Sequence, residues 1–328
     1  MPLTRKPGME ETLTQTIEEK YETEKSNLER VLAEMEHKQI TYDGLQRSYW
    51  KYVPDGHRQG TDHYPLLIAL HGGTSTGKSM ALLTEFNNLA RKDGFIVVYP
   101  DGVEKHWNDG RDLQMFRCQH ENINDVGFIS ALIDQMAAQH PVDLDRVYVT
   151  GISNGAMMAH RVAVELSSSV AAAAMVAGNI PENYKERIPE VPVPMLVMNG
   201  TEDQIMPWSG GTIGFITDRG RAVSVKETIN FWRVHNNCQN DPEIAYKPDI
   251  ATDDGTRVRT ETYINKAGTA MAMLYAIEGG GHTWPGANPK IRQNPPQVPK
   301  EYIGLMSSDI DGSEEIYTFF KQHSRNKE

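Results

Sequence analysis

The sequence predicts an α/β protein with a mostly parallel central β-sheet, helices on both faces and an antiparallel hairpin at the N-terminal edge. Three observations predict it. Short apolar runs alternate with helical stretches, the pattern of strands buried on both faces of a sheet. A hairpin pattern precedes them. The pentapeptide Gly151-Ile152-Ser153-Asn154-Gly155 stands between one apolar run and a helical stretch.

Residues 10–38 form the first unit, a charged amphipathic helix. Leu13, Ile17, Tyr21, Leu28, Val31, Leu32 and Met35 recur at helical spacing among Glu and Lys. This helix is expected to pack on the domain surface; homodimerisation through residues 10–38 is the alternative. The chain therefore divides into an N-terminal helical extension, residues 1–38, and a single catalytic domain, residues 39–328. Ile40-Thr41-Tyr42, Asp43-Gly44 and Arg47 to Val53 then read as two strands joined by a tight turn.

Six apolar strands follow: Leu66 to Leu70, Phe95 to Tyr99, Val147 to Thr150, Ala171 to Val176, Met195 to Met198 and Met273 to Ile277. Helical stretches are expected at 79–91, 125–139, 156–167, 221–236 and 312–323. Asp253-Asp254-Gly255 marks a second hairpin, and residues 285–300 a long surface loop.

Composition excludes several functions. The net charge is −11 and there is no long basic run, which argues against nucleic acid. No apolar segment approaches the ~20 residues needed to cross a bilayer. Cys118 and Cys238 are the only cysteines, so there is no disulfide framework and no zinc spacing. No metal or organic cofactor is expected. The polar, Glu-rich N-terminus does not read as a signal peptide, which leaves an intracellular protein or a mature form whose leader is absent.

The chemistry-bearing motifs lie at predicted strand ends. Gly151 to Gly155 has the Gly-x-Ser-x-Gly form between strand and helix, the context of a nucleophile elbow, with Ser153 as nucleophile. His71-Gly72-Gly73-Thr74 follows an earlier strand. Its backbone N–H groups at Gly73 and Thr74, with that of Asn154, are the candidate oxyanion donors. Asp203 follows Met195 to Met198 and is the candidate acid, with Glu202 as competitor. His282, in Gly279-Gly280-Gly281-His282, is the candidate base on a turn that leaves it free to swing over the sheet edge; His71 is a weaker rival. Serine, acid and histidine occur in that order. Trp208 and Trp284 flank the acid and the base and are candidate walls of an acyl or aryl pocket. A competing motif overlaps the loop: Gly72 to Ser79 matches a phosphate-binding P-loop, with Lys78 and Ser79 as phosphate and magnesium ligands.

With these motifs in order, residues 40–323 resemble the polyhydroxybutyrate depolymerases and the feruloyl and acetyl-xylan esterases of the α/β-hydrolase fold. The resemblance rests on Leu70 to Gly73, Trp107-Asn108-Asp109-Gly110-Arg111, Asn124 to Phe128, the Ser153 elbow, Gly200 to Asp203, and Gly281 to Gly286. It implies a serine ester hydrolase working through an acyl-enzyme, with an ester substrate, polymeric in some relatives, and a secreted or periplasmic location. A serine peptidase on the same fold and the nucleotide hydrolase are the alternatives. Relatives carry a cysteine in the strand region after Cys238; Asn265 lies near that place here. Among the shared polar residues Asn108, Asp109, Arg111, Asn124 and Asp125, structural support is expected: Asp125 as a helix cap, Arg111 as partner to an acid.

Overall fold

A computed structural model describes residues 29–55, 63–214, 217–288 and 300–325. Ten of its strands form one sheet. In chain order the elements begin with β1 (Glu36–Tyr42), β2 (Leu45–Tyr52), β3 (Tyr64–Leu70), α1 (Gly77–Thr84), α2 (Phe86–Asp93) and β4 (Ile96–Pro100). Next come α3 (Arg117–His120), α4 (Asp125–Gln139), β5 (Val142–Ile152), α5 (Asn154–Glu165), β6 (Ala172–Val176) and β7 (Met195–Gly200). The short pair β8 (Gly211–Thr212) and β9 (Arg221–Ala222) precedes α6 (Val225–His235). The chain then runs through β10 (Glu243–Tyr246), β11 (Arg257–Ile264), β12 (Ala270–Glu278), α7 (Lys300–Ile303) and α8 (Gly312–Phe320).

The large sheet has the order β1-β2-β4-β3-β5-β6-β7-β12-β11-β10. Strands β4 to β12 within that order pair in parallel, and both ends are antiparallel. The parallel strands are apolar on both faces because each face is covered. Leu66, Ile68 and Leu70 join one core with Val126, Ile129, Met158, Val162, Ile229 and Trp232 of α4, α5 and α6. Leu67 and Ala69 point the other way, into a core with Met80, Phe86, Ile316 and Phe320 of α1, α2 and α8. The two-residue alternation assigns neighbouring side chains to opposite layers. After β3 the chain moves outward to β4 and then returns to β5 on the other side. The sheet therefore has a switch point between β3 and β5, the place at the carboxyl ends where open α/β sheets bind their ligands.

Several expectations are corrected. The helix expected at 79–91 is two helices, because Glu85 adopts left-handed backbone (φ 47°) and ends α1. The helix expected from 221 begins at Val225 behind a capping box between Ser224 and Glu227, and residues 221–222 are β9. The helix that caps at 124–125 uses Asn124, which accepts the Gly127 N–H; Asp125 lies inside α4, buried and ion-paired with Arg47 at 2.7 Å. The helix expected at 10–38 lies outside the described residues up to 28, and its end is corrected: helix is seen at 29–33 and strand from Glu36. That last helical turn buries Val31, and the link after it Met35, against the α1 and α2 layer. Homodimerisation through residues 10–38 falls mostly outside the described residues. The antiparallel end β10-β11-β12 contains the expected second hairpin, together with a tighter turn at Lys266 to Gly268. Among the described residues, no helix is long and apolar enough to cross a membrane.

Candidate active site

Four sequence motifs meet at the carboxyl edge of the parallel strands. Ser153 follows β5 with φ 58° and ψ −119°, a conformation a β-carbon strongly disfavours. Its backbone N–H donates to Val176 O at 2.9 Å, tying the turn to β6. Both flanking glycines are required by close approach. A β-carbon at Gly151 would lie 2.3 Å from Gly155 O, and one at Gly155 would lie 2.3 Å from Leu70 O. The elbow is thus wedged against β3, as the Gly-x-Ser-x-Gly form anticipates.

Asp203 follows β7 and His282 follows β12, the adjacent parallel strand. His282 Nδ1–H donates to Asp203 Oδ2 at 2.7 Å. Asp203 Oδ1 accepts the N–H groups of Ile205 and Met206, each at 2.8 Å. Both side chains are buried. The bond through Nδ1 leaves Nε2 of neutral His282 with its lone pair, the form a general base needs. Glu202, the competing acid, is exposed. His282 is not free to swing: its backbone N–H donates to Ile303 O at 2.6 Å and the residue is 5% exposed. The Ser153 hydroxyl makes no hydrogen bond to His282 among the described residues, and only β6 separates its strand from that of Asp203. Such contacts commonly tighten when substrate binds.

The loop after β3 corrects one donor. The Thr74 N–H donates to Lys105 O at 2.8 Å and is not available to an oxyanion. The N–H groups of Gly73 and Asn154 have no acceptor among the described residues. His71 is not a rival base. Its Nε2 accepts the Gly102 N–H at 2.9 Å, so Nδ1 carries the proton and donates to Gly72 O at 2.8 Å. Burial lowers its pKa to about 4, which keeps it neutral. The P-loop reading also meets an obstacle. The Gly77 N–H donates to the Asp101 carboxylate at 2.7 Å and the Ser79 N–H to Thr76 Oγ1 at 3.2 Å. The Ser75 N–H goes to Gly72 O at 3.1 Å. A fixed carboxylate stands where a phosphate would need N–H donors, and the Lys78 ammonium lies 5.8 Å from the Trp50 ring.

The two tryptophans separate. Trp284 is 1% exposed, packs edge-on to Phe86 and donates through Nε1 to Ser313 Oγ at 3.1 Å. Its expected place in a pocket wall is corrected, since it fills the core between the sheet and α2. Trp208 is half-buried and lines a cavity of about 440 Å³ whose other walls are largely polar, with Lys226, Arg233, Arg259 and Glu261, and which none of Ser153, Asp203 and His282 lines. Arg111 pairs with Asp109 at 2.7 Å, both buried. Cys118 and Cys238 are free, and Asn265 pairs with Cys238 through an isolated antiparallel β-bridge. Among the described residues, no group of three or more His, Cys, Asp or Glu is placed to hold a metal ion.

Comparison with known proteins identifies the family. Residues 47–196 match the family model described as esterase PHB depolymerase. A putative esterase, NocK of Nocardia uniformis subsp. tsuyamanensis, is 30% identical over 258 residues, covering 76% of this chain and 74% of its own. The chain belongs to the PHB-depolymerase esterase family. It is a carboxylic ester hydrolase. Poly(3-hydroxyalkanoate) depolymerase C of Paucimonas lemoignei is 26% identical over 72% of this chain, which spans 58% of that relative's length. An acetyl xylan esterase from Aspergillus awamori shares the fold, with a TM-score of 0.53 at 17% identity over 76% of this chain and 94% of that one. The α/β-hydrolase fold expected from the sequence is the fold observed.

Motif reading expected structural support from Asp109 but assigned no role to Trp107 or Gln119. Trp107, Asp109 and Gln119 all bond around Asn154 or its partners. The Trp107 to Arg111 run was the available signal, but only the fold shows which residue it braces.

Proposed function

We propose that the protein cleaves carboxylic esters through an acyl-enzyme on Ser153, with His282 as general base and Asp203 orienting it. The observation that carries the reading is the 2.7 Å bond from His282 Nδ1 to Asp203, on the same sheet edge as the strained Ser153 turn. His282 Nε2 takes the Ser153 proton as the hydroxyl oxygen attacks the ester carbonyl. The N–H groups of Gly73 and Asn154 receive the negative oxygen, each worth about 3–4 kcal/mol in this role. The imidazolium then protonates the leaving alcohol. Water attacks the acyl carbonyl and gives its proton to His282; the imidazolium returns that proton to Ser153 Oγ as the acyl C–O bond breaks, and the acid leaves. No step needs a metal.

The substrate class in this reading is an acetyl, feruloyl or hydroxyalkanoate ester, in a polymer or its oligomers. Relatives named as acetylxylan esterase, feruloyl esterase and poly(3-hydroxyalkanoate) depolymerase support that range. Trp208, beside the Asp203 loop, offers an aromatic surface to the apolar part of the ester. The test is fluorophosphonate labelling with peptide mapping, followed by release assays on methyl ferulate, acetylated xylan and hydroxybutyrate oligomers. Ser153 is expected to carry the label, and Ser153→Ala to lose both label and turnover. A label elsewhere overturns the assignment. Trp208→Ala is expected to lower turnover of aryl esters more than of acetyl esters; equal losses would remove Trp208 from the substrate.

A further inference from the structure

We propose that Trp107 is a positioning residue that holds the two oxyanion donors at a fixed spacing, with Asp109 locking it to Asn154. The inference rests on the reading of Ser153 as nucleophile and of Gly73 and Asn154 as donors. Trp107 is fully buried and reaches both halves of the hole. Toward Asn154 it uses its backbone: the Trp107 N–H donates to Asn154 Oδ1 at 2.9 Å, and Trp107 O accepts Asn154 Nδ2 at 3.2 Å. The same Nδ2 donates to Asp109 Oδ2 at 2.5 Å. The carboxamide of Asn154 is therefore held at three points, and its backbone N–H with it.

Toward the other donor Trp107 uses its side chain. The indole N–H donates to His71 O at 2.9 Å, and the two rings lie 4.9 Å apart. His71 in turn holds Gly72 O through Nδ1–H, and Ser75 N–H holds the same oxygen. In a trans peptide the Gly73 N–H points opposite to Gly72 O. Fixing that carbonyl at two points aims the Gly73 donor. Behind this assembly Asp109 is charge-compensated by Arg111 and accepts Gln119 Nε2 at 3.1 Å. Arg111 Nη1 continues to Arg219 O at 2.7 Å, so the brace is anchored on α3 and on the loop that carries Arg219. One residue thus sets the distance between donors that come from separate strands, β3 and β5.

The test is Trp107→Phe, which keeps an aromatic ring and deletes the indole donor to His71. Ester turnover is expected to fall by roughly 30- to 100-fold in kcat, the scale of a misplaced catalytic geometry, with KM changed less than about threefold. Inhibition by a trifluoromethyl ketone, which places an oxyanion in the hole, should weaken by the same factor as kcat/KM. Binding of the product acid should not change. A packing role alone would lower the melting temperature and leave kcat and the ketone affinity at their wild-type values, and that result overturns the proposal. If Trp107→Phe does not fold, Asn154→Ala cuts the other arm while keeping the backbone donor, and the same split is expected; an unchanged kcat there overturns it as well. Wild-type protein left unlabelled at Ser153 by fluorophosphonate refutes the nucleophile reading on which the proposal stands; a labelled Ser153 with unchanged Trp107→Phe kinetics refutes the brace alone.

Discussion

Replacing Asp203 by Asn changes one atom and tests the proposed base directly. The carboxylate accepts three N–H groups: Ile205 and Met206 on Oδ1, and His282 on Oδ2. An amide has only one oxygen. If its NH₂ faced the two backbone donors, both buried hydrogen bonds would be lost, at about 1–3 kcal/mol each. The amide oxygen therefore takes the Oδ1 place and the NH₂ faces His282. Nδ1 must then accept, which moves the proton to Nε2, where it blocks uptake of the Ser153 proton. The same rearrangement in serine proteases costs about 10⁴ in kcat, or roughly 5.5 kcal/mol in the barrier. Turnover of p-nitrophenyl acetate at pH 8 measures it, with thermal melting to confirm that the variant is folded. Glu202→Gln is the control, because Glu202 is exposed and outside this geometry. An Asp203→Asn enzyme within tenfold of wild type, or a larger loss in Glu202→Gln, would refute the reasoning.

Two stability predictions follow from buried charge and burial of titratable groups. His160 is fully buried among Tyr184, Phe231 and Trp232, neither ring nitrogen has a hydrogen-bond partner among the described residues, and burial lowers its pKa to about 3. Above pH ~6.5 the ring is neutral in folded and unfolded chains alike; as pH falls from there towards 3, only the unfolded chain binds the proton and stability is lost. His160→Phe should therefore lose about 2–3 kcal/mol less unfolding free energy than wild type between pH 7.5 and 4.5 by urea denaturation; equal losses would show that His160 titrates normally. Arg47→Met should destabilise by about 3–5 kcal/mol in the same assay, because it strands the Asp125 carboxylate that Arg47 meets at 2.7 Å in the interior. Asp125→Asn added to it should recover part of the loss, and simple additivity of the two changes would contradict the pairing.

The parallel strands were legible because covering both faces of a sheet demands continuous apolar runs, as in Leu66 to Leu70. The elbow was legible because its five-residue form lies in one stretch between strand and helix, although the atoms that exclude a β-carbon at Gly155 belong to Leu70 and His71 at the end of β3. What escaped depends on distant partners. Thr74 looked like a donor until Lys105, 31 positions on, proved to accept its N–H. Trp284 stands two residues from His282, yet sequence proximity does not say which side of the sheet edge a ring takes, and this ring goes to Phe86. Asn124 and Asp125 are both good caps; the choice fell to Arg47, which claims Asp125 from a strand far back in the chain. The break at Glu85 was hidden because Leu82 to Ala90 keeps helical spacing across it.

The brace around Asn154 joins residues 47 positions apart, the His71–Gly102 bond joins residues 31 apart, and the Asp203–His282 bond joins residues 79 apart. None of these can form inside a single local hairpin or helix. In refolding, loops of this size close late, after helices and adjacent strands have formed. Recovery of ester turnover should therefore trail the recovery of helical signal, making turnover a reporter of the last docking events. A fragment or a loosely packed compact state, however rich in secondary structure, would register as silent.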